Sequence, residues 1–456
     1  LSERLHESLN LREFPFGYAA LSMLALALIT GTIILLNPPP KKEADLTFWT
    51  FAKPHYEAYE KVYHEFEKEN NCKVDLQLVS GQGLPQRLQA AFLADLNDVP
   101  DMCENEISAA GSFFRGPVEH IGFEDLTDRI KADGLEEKMI ASRFAPYTSR
   151  GRVFGLPHDV HPVLFGYNRT IMEREGIDVS KIETWDDFIK VGQKVTIPDK
   201  RYLIEMSATG RDQLEICLFQ RDGGYFDPAG KVIFDNDIAV ETMKFYVPLV
   251  AKNSKTRIAN TLSSSFGAVI AQGMANEYFI GVMLPDWRSK IFENEIGTLE
   301  GKMALMPLPA VTKGGRRTST WGGTMLGITK KCKNKDLAWK FAKFLYLNEK
   351  DLARRFAGTN ILPPVRAAWK EPAFDKPNPY WSGQKLGRIY ANLAPEVPAQ
   401  YTHPFIGLAK SKFEQALNDC VKRYEAEGDK DFDAFVRQSL KKRADEARRQ
   451  IARNPY

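Results

Sequence analysis

No two of the five cysteines (Cys72, Cys103, Cys217, Cys332 and Cys420) stand in a Cys-x-x-Cys spacing. That excludes a zinc ribbon and a thioredoxin-like redox motif, and the odd number leaves at least one thiol unpaired. The five are expected to be small buried hydrophobes, with one disulfide open to them in an oxidising compartment. An excess of charge of one sign is also missing: 62 basic residues face 59 acidic ones, a net charge of +3. A dedicated nucleic-acid binder carries a basic excess on one face, so no nucleic-acid partner is expected. There is no Gly-x-Ser-x-Gly elbow, no Walker loop, no dinucleotide fingerprint, no internal repeat and no low-complexity tract. The common signatures of hydrolase, nucleotide and redox-cofactor chemistry are therefore absent.

What the chain has is length and a long apolar run. Its 456 residues exceed one ordinary core, so two lobes plus a tail are expected. Residues 16–36 carry no charge, and at ~1.5 Å per residue such a run can cross a ~30 Å hydrocarbon core. Its polar members, Ser22, Thr30 and Thr32, can bond to their own backbone. A cleaved signal peptide has a shorter apolar region, ~7–15 residues, and ends in a small-x-small site. This run ends instead at Asn37-Pro38-Pro39-Pro40. The expectation is an uncleaved transmembrane anchor over 16–36, after a cytoplasmic segment 1–15 and before a stiff proline-rich spacer 37–44. Arg4 and Arg12 on one side balance Lys41 and Lys42 on the other, so charge alone does not orient the span.

Beyond the spacer the pattern alternates. Leu46-Thr47-Phe48-Trp49-Thr50-Phe51 reads as a buried strand. Tyr59, Val62, Tyr63 and Phe66 mark one helix face, and Val74-Asp75-Leu76-Gln77-Leu78-Val79 alternates as a second strand. Strand, helix and strand in so short a span form a βαβ unit, which predicts a mainly parallel sheet. Leu84, Leu88, Ala91, Phe92 and Leu96 mark a further helix ended by Pro100. Thr184-Trp185-Asp186-Asp187 reads as a capping box, and a second α/β region begins near residue 160. Residues 279–284 and 303–306 read as short buried strands, and residues 335–347 as a helix. The tail from about Lys410 reads as two charged helices, broken at Gly428 and mostly solvated.

Several segments occur in a fixed order: Phe66-Glu67-Lys68-Glu69-Asn70 before Lys73-Val74-Asp75-Leu76, and Gly155-Leu156-Pro157-His158-Asp159 before Leu164-Phe165-Gly166-Tyr167-Asn168-Arg169. Gly223-Gly224-Tyr225-Phe226-Asp227, Trp321-Gly322-Gly323-Thr324-Met325-Leu326-Gly327-Ile328 and Lys333-Asn334-Lys335-Asp336-Leu337-Ala338-Trp339 follow. Together they resemble the family 1 extracellular solute-binding proteins, the maltose-binding-protein-like group of ABC sugar import. The resemblance implies an α/β fold of two lobes joined by a hinge, with ligand held between them. It places crossings near residues 156–164, 318–326 and 359–365. The first lobe is then 45–158 with 323–358, and the second 159–322 with 359–456. It further implies a non-enzymatic, cofactor-free, substrate-binding subunit that takes a mono- or oligosaccharide or related polyol and delivers it to ABC permease subunits. With the anchor, the globular part is placed extracytoplasmically (periplasmically) on a bacterial inner membrane. A sensory ectodomain, a binder of a non-sugar solute and an extracytoplasmic glycosidase are the alternatives.

Sugars present hydroxyls that want polar partners and C–H faces that stack on aromatic rings, so cleft candidates are aromatic and polar residues at strand ends and crossings. Trp49 with Lys53, Trp287, Trp321 and Tyr401 satisfy that description. Trp185 and Trp339 lie in helix patterns and are expected to be packing. Glu104 and Glu106 share one face of an extended segment; such a pair serves a glycosidase or accepts sugar hydroxyls equally well. His158, Asp159 and His161 have metal-ligand chemistry, but a metal site needs three or four ligands with second-shell support, and no further His lies nearby in sequence, so no metal is expected. His158 and Asp159 are instead assigned to the cleft, with Arg211 and Asp212 from the second lobe and Arg366 at the rim near the third crossing.

Overall fold

The computed structural model describes residues 17–36, 44–94, 99–261 and 267–453. The chain divides into two units, Leu1–Ala44 and Asp45–Tyr456. In the first, α1 (Gly17–Leu36) is one helix. The hydroxyls of Ser22, Thr30 and Thr32 donate to carbonyls one turn back at 2.6, 2.7 and 2.7 Å. Their polarity is thus satisfied within the helix, while Met23, Leu24, Leu26, Leu28, Ile29 and Ile33 are exposed. Among the described residues no helix is long and apolar enough to cross a membrane. The transmembrane span expected over 16–36 is therefore corrected to an apolar helix. The segments 1–15 and 37–43 lie outside the described residues.

The second unit opens with β1 (Leu46–Thr50), α2 (Lys53–Glu60), α3 (Tyr63–Asn70), β2 (Val74–Leu78), α4 (Leu84–Leu93) and β3 (Met102–Glu106). Both faces of β1 are covered. Phe48 packs with Tyr59, Phe66 and Phe341 on one side, and Trp49 with Leu88, Phe113 and Phe123 on the other. Each such buried side chain contributes about 1.5–3 kcal/mol. The single helix expected from Tyr59, Val62, Tyr63 and Phe66 is two, because the backbone leaves the helix at Val62 (φ −129°). The apolar stripe survives the break: Tyr59, Val62 and Phe66 are all buried. Leu96, expected on the next helix, lies outside the described residues.

After β4 (Leu156–Pro157) the chain enters the second lobe, with β5 (Val163–Asn168), β6 (Tyr202–Glu205), α5 (Asp212–Gln220), β7 (Ala259–Asn260), β8 (Phe279–Pro285), α6 (Asp286–Glu295) and β9 (Met303–Pro307). It returns to the first lobe through β10 (Thr324–Ile328) and continues to α7 (Glu349–Thr359) and, in the tail, α8 (Ile406–Glu427) and α9 (Phe432–Arg453). The first sheet has the order β2–β1–β3–β10–β4 and the second β9–β5–β8–β6–β7. Neither is mainly parallel. In the first, β1 is parallel to β2 and β3, but β10 is antiparallel to β3 and β4. In the second, β6 is parallel to β7 and β8, while β5 is antiparallel to β8 and β9. The strand β10 arrives from the other lobe and not through a βαβ crossover, so the rule that makes crossover strands parallel does not constrain it.

The expected capping box forms: Thr184 N–H donates to Asp187 Oδ2 at 3.0 Å while Asp187 N–H donates to Thr184 Oγ1. The tail is less solvated than its charge suggested. Phe413, Leu417, Cys420 and Val421 of α8 and Val436, Leu440 and Ala444 of α9 are buried in the second-lobe core. These positions recur at helical spacing, so the charged residues occupy only the opposite face. All five cysteines are free.

Candidate functional site

Three chain segments connect the lobes, and hydrogen bonds tie them together. His158 N–H donates to Thr324 O at 2.9 Å, Val163 N–H to Ser319 O at 3.2 Å, and Val160 N–H to Leu362 O at 3.0 Å. A cavity of about 940 Å³ lies between the lobes beside these crossings. That is the upper part of the ~300–1,000 Å³ range of small-molecule sites.

Of the residues singled out from the sequence, Glu106, Asp159, Arg211, Asp212, Trp287, Trp321 and Tyr401 line this cavity. Trp287 and Trp321 are half-buried and meet edge to face, with ring centroids 5.7 Å apart. The Trp287 indole N–H donates to Trp321 O at 2.9 Å, so the position of α6 is tied to that of the second crossing. Arg211 donates to Glu215 at 2.8 Å and Glu414 at 2.9 Å. Burial opposes its charge most, but Glu215, Tyr225, Asp212 and the bond to Glu414 together outweigh burial and raise its pKa. Beside it, the Asp212 side chain makes no hydrogen bond within the described residues, and burial, then Glu215, raises its pKa. Burial also raises that of Glu106, against its bonds from Ser108 and the charge of Lys410 in the other lobe.

The other five do not line the cavity. Trp49 sits in the core beneath the Arg87 guanidinium, 4.3 Å from its ring, because β1 is covered on both faces. Lys53 is exposed and pairs with Glu57 one turn along at 3.6 Å. Arg366 is exposed at the start of a short 3₁₀ turn, Arg366–Lys370. Glu104 is fully buried and accepts from Thr50, Tyr59 and Tyr346, with His55 Nδ1 at 3.0 Å. Burial opposes its ionisation most, but His55, His158 and the Thr50 hydroxyl together prevail, and the carboxyl is held below the ordinary range. Glu104 and Glu106 therefore do not face one another across the cavity as an acid and base. His158 packs against His55 with centroids 3.9 Å apart and the rings tilted by 31°, and lies between Asp159, 3.2 Å from Nδ1, and Arg355, 3.1 Å from Nε2. Burial, then His55, pushes its pKa down to about 4.

His55, Glu104 and His158 bring ligand atoms within 4.8 Å of one another. The Arg355 guanidinium at His158 Nε2 and the hydroxyl donors on both Glu104 oxygens already fill the positions a cation would take. The chemistry is that of a closed hydrogen-bond web, which fixes α2 and α7 as walls of the site.

A second web lies at the crossings. Asp159 Oδ2 faces His161 Nε2 at 3.0 Å, and Asp286 Oδ1 faces His161 Nδ1 at 2.6 Å. Thr324 N–H donates to Asp159 at 3.2 Å, and Leu362 N–H to Asp286 at 2.7 Å. Arg143, fully buried, donates to Asp159 O, Thr320 Oγ1 and Gly322 O at 3.0–3.1 Å. Burial disfavours a charged His161, but the two carboxylates prevail and push its pKa up to about 9. His161 holds a left-handed backbone (φ 57°), uncommon for a residue with a side chain. Sequence reasoning noticed His161 but not its pairing with Asp286, and nothing local marked Arg143.

The model of the family described as bacterial extracellular solute-binding protein matches residues 52–351. The chain belongs to that family. Among curated relatives of this solute-binding protein, the arabinooligosaccharide-binding protein of Bacillus subtilis (strain 168) is 26% identical over 404 residues, covering 86% of this chain and 91% of the relative. Among solved structures, the sugar-binding protein MalE of Xanthomonas citri superposes with a TM-score of 0.67 at 20% identity, covering 87% of this chain and 98% of that one. An ABC-transporter-associated binding protein of B. animalis subsp. lactis, in complex with β-1,6-galactobiose, gives 0.65 at 19% identity, covering 89% and 98%. These structures share the two-lobed α/β fold.

Proposed function

We propose that this solute-binding protein captures an oligosaccharide in the interlobe cavity and presents it, by hinge closure, to the permease of an ABC importer. The observation that carries the reading is the pairing of two half-buried indoles, Trp287 and Trp321, with the Asp212 carboxylate on the wall of one cavity of about 940 Å³. Indole faces suit the C–H faces of a sugar, and a carboxylate that accepts no hydrogen bond among the described residues suits its hydroxyls. The volume suits more than one sugar ring, and the arabinooligosaccharide-binding relative supports that choice. Glu106, Asp159, Arg211 and Tyr401 are proposed as further ligand contacts. With Glu104 enclosed, the Glu104–Glu106 pair is not available for glycoside hydrolysis, and catalysis is not part of the reading.

The test uses the Asp45–Tyr456 unit with arabino-, galacto- and malto-oligosaccharides. At a hundred times Kd, ligand adds about 2.7 kcal/mol, a Tm rise of several degrees. No new reducing ends form, and Trp287→Ala loses most of the rise. Release of reducing ends, or a Tm rise with a non-carbohydrate solute alone, sinks the reading.

Membrane attachment through α1 is part of the proposal. A helix apolar around its whole circumference, with six large side chains exposed between Met23 and Ile33, is stable only where another apolar phase covers it. After producing cells are broken at neutral pH, the full chain should sediment with the membranes and a chain starting at Asp45 should not. Full chain in the supernatant would overturn this attachment.

A further inference from the structure

The first lobe meets the second at a place away from the hinge. Gly111, between the short helix Ile107–Ala110 and the turn Gly111–Phe114, lies against residues 402 and 403 of the second lobe. A Cβ on Gly111 would fall within 2.4 Å of both His403 O and Thr402 Oγ1, far inside van der Waals contact. Yet the Gly111 backbone is ordinary right-handed helix (φ −58°, ψ −34°), which any residue adopts. Its own lobe therefore gives no conformational reason for glycine. The close approach of the other lobe does.

The surroundings agree. Four residues on, the Arg115 guanidinium lies over the Phe405 ring of the second lobe at 5.2 Å. Arg150 holds the end of the first-lobe segment by donating to Phe114 O and Gly116 O at 2.9 and 2.6 Å. On the other side His403 stacks on Phe226 with centroids 4.3 Å apart, and its Nδ1 accepts from Phe405 N–H at 3.2 Å. Ser108 and Thr402, flanking the contact, both line the cavity, so this seam forms one of its margins.

We infer that Gly111 and the Thr402–Phe405 segment form a closure latch, a seam that exists only when the lobes are shut and that requires a residue without a side chain at position 111. The latch sets how much of the ligand's binding energy is realised, because closure is favoured only as far as the closed form binds better than the open one. The inference rests on the proposed reading that the cleft closes around its ligand.

The experiment compares wild type with Gly111→Ala and Arg115→Ala, using arabinotriose, β-1,6-galactobiose and maltotriose as probes. Ligand-free melting of Gly111→Ala should match wild type within about 2 °C, since Ala suits a helical backbone better than Gly. Affinity for the probe that wild type binds should fall at least tenfold in Gly111→Ala and about two- to fivefold in Arg115→Ala. Equal affinity of Gly111→Ala and wild type overturns the latch. If wild type binds none of the probes, the proposed function is what fails, and disulfide trapping of the shut form through Arg115→Cys with Phe405→Cys, which face each other across the seam, decides the latch, because trapping accumulates even a minor shut population. Slower trapping when Gly111→Ala is added supports it; equal trapping rates with and without Gly111→Ala overturn it.

Discussion

Replacing Asp159 by Ala lowers the unfolding free energy of the Asp45–Tyr456 unit by about 3–5 kcal/mol, read as a lower urea midpoint at unchanged slope. Asp159 is 1% exposed and faces His161 at 3.0 Å, His158 at 3.2 Å and Arg143 at 3.7 Å, besides accepting from Thr324 N–H at 3.2 Å. Deleting it leaves the buried Arg143 guanidinium and the His161 imidazole short of their shared counter-charge. Removing one partner of a buried ionic set costs far more than the set contributes as a whole, because the remaining charge cannot reach water. The loss is concentrated where the crossings meet, since Thr324 belongs to the second and Leu362, held through Asp286, to the third. Lys53→Ala is the control: its exposed pair with Glu57 at 3.6 Å is worth less than about 0.5 kcal/mol. A loss under about 1 kcal/mol in Asp159→Ala would show that the web is not what holds the crossings together.

This web also marks where the sequence stopped being informative. Strand β1, the capping box at Thr184 and the amphipathic pattern of the later helices are local features, each written within a few neighbouring residues. The α/β class was legible from them, and the ordered segments pointed to the family. The pairing of His161 with Asp286 joins residues 125 apart, and the approach of Thr402 to Gly111 is longer still. Neither leaves a periodic trace. Trp49 and Glu104 were assigned to the cleft because residues at strand ends face it. Both lie within their strands, one residue or more short of the end, where both faces of the sheet are covered. Trp287 and Trp321, beyond strand ends, do line the cavity. The difference is a matter of one or two residues in register, a precision that pattern does not supply. The charged tail misled for another reason: burial of α8 and α9 needs only every third or fourth residue to be apolar, so high overall charge conceals a core-facing stripe.

The stability of the same unit should pass through a maximum near pH 6.5 and fall on both sides, by different histidines. On the alkaline side the group is His161, moved from 6.5 up to about 9, with burial outweighed by Asp159 and Asp286. A folded state that holds a proton more tightly than the unfolded chain is stabilised fully below 6.5, and that stabilisation is lost as pH rises through 9. The distance from 6.5 to about 9 corresponds to on the order of 3 kcal/mol. On the acid side His158 and His403 are both pushed down to about 4, chiefly by burial. They favour the folded state above 6.5 and cease to do so as pH falls through 4. Urea midpoints measured from pH 4 to pH 10 should therefore trace a dome for wild type. In His161→Gln the summit is lower, because the buried carboxylates lose their cation, and the alkaline limb flattens while the acid limb persists. The amide can still donate one hydrogen bond but has no proton to lose, so the limb that disappears isolates the titration from the packing. An alkaline limb as steep in His161→Gln as in wild type would assign the loss to lysines or tyrosines elsewhere and remove His161 as the charged centre of the hinge.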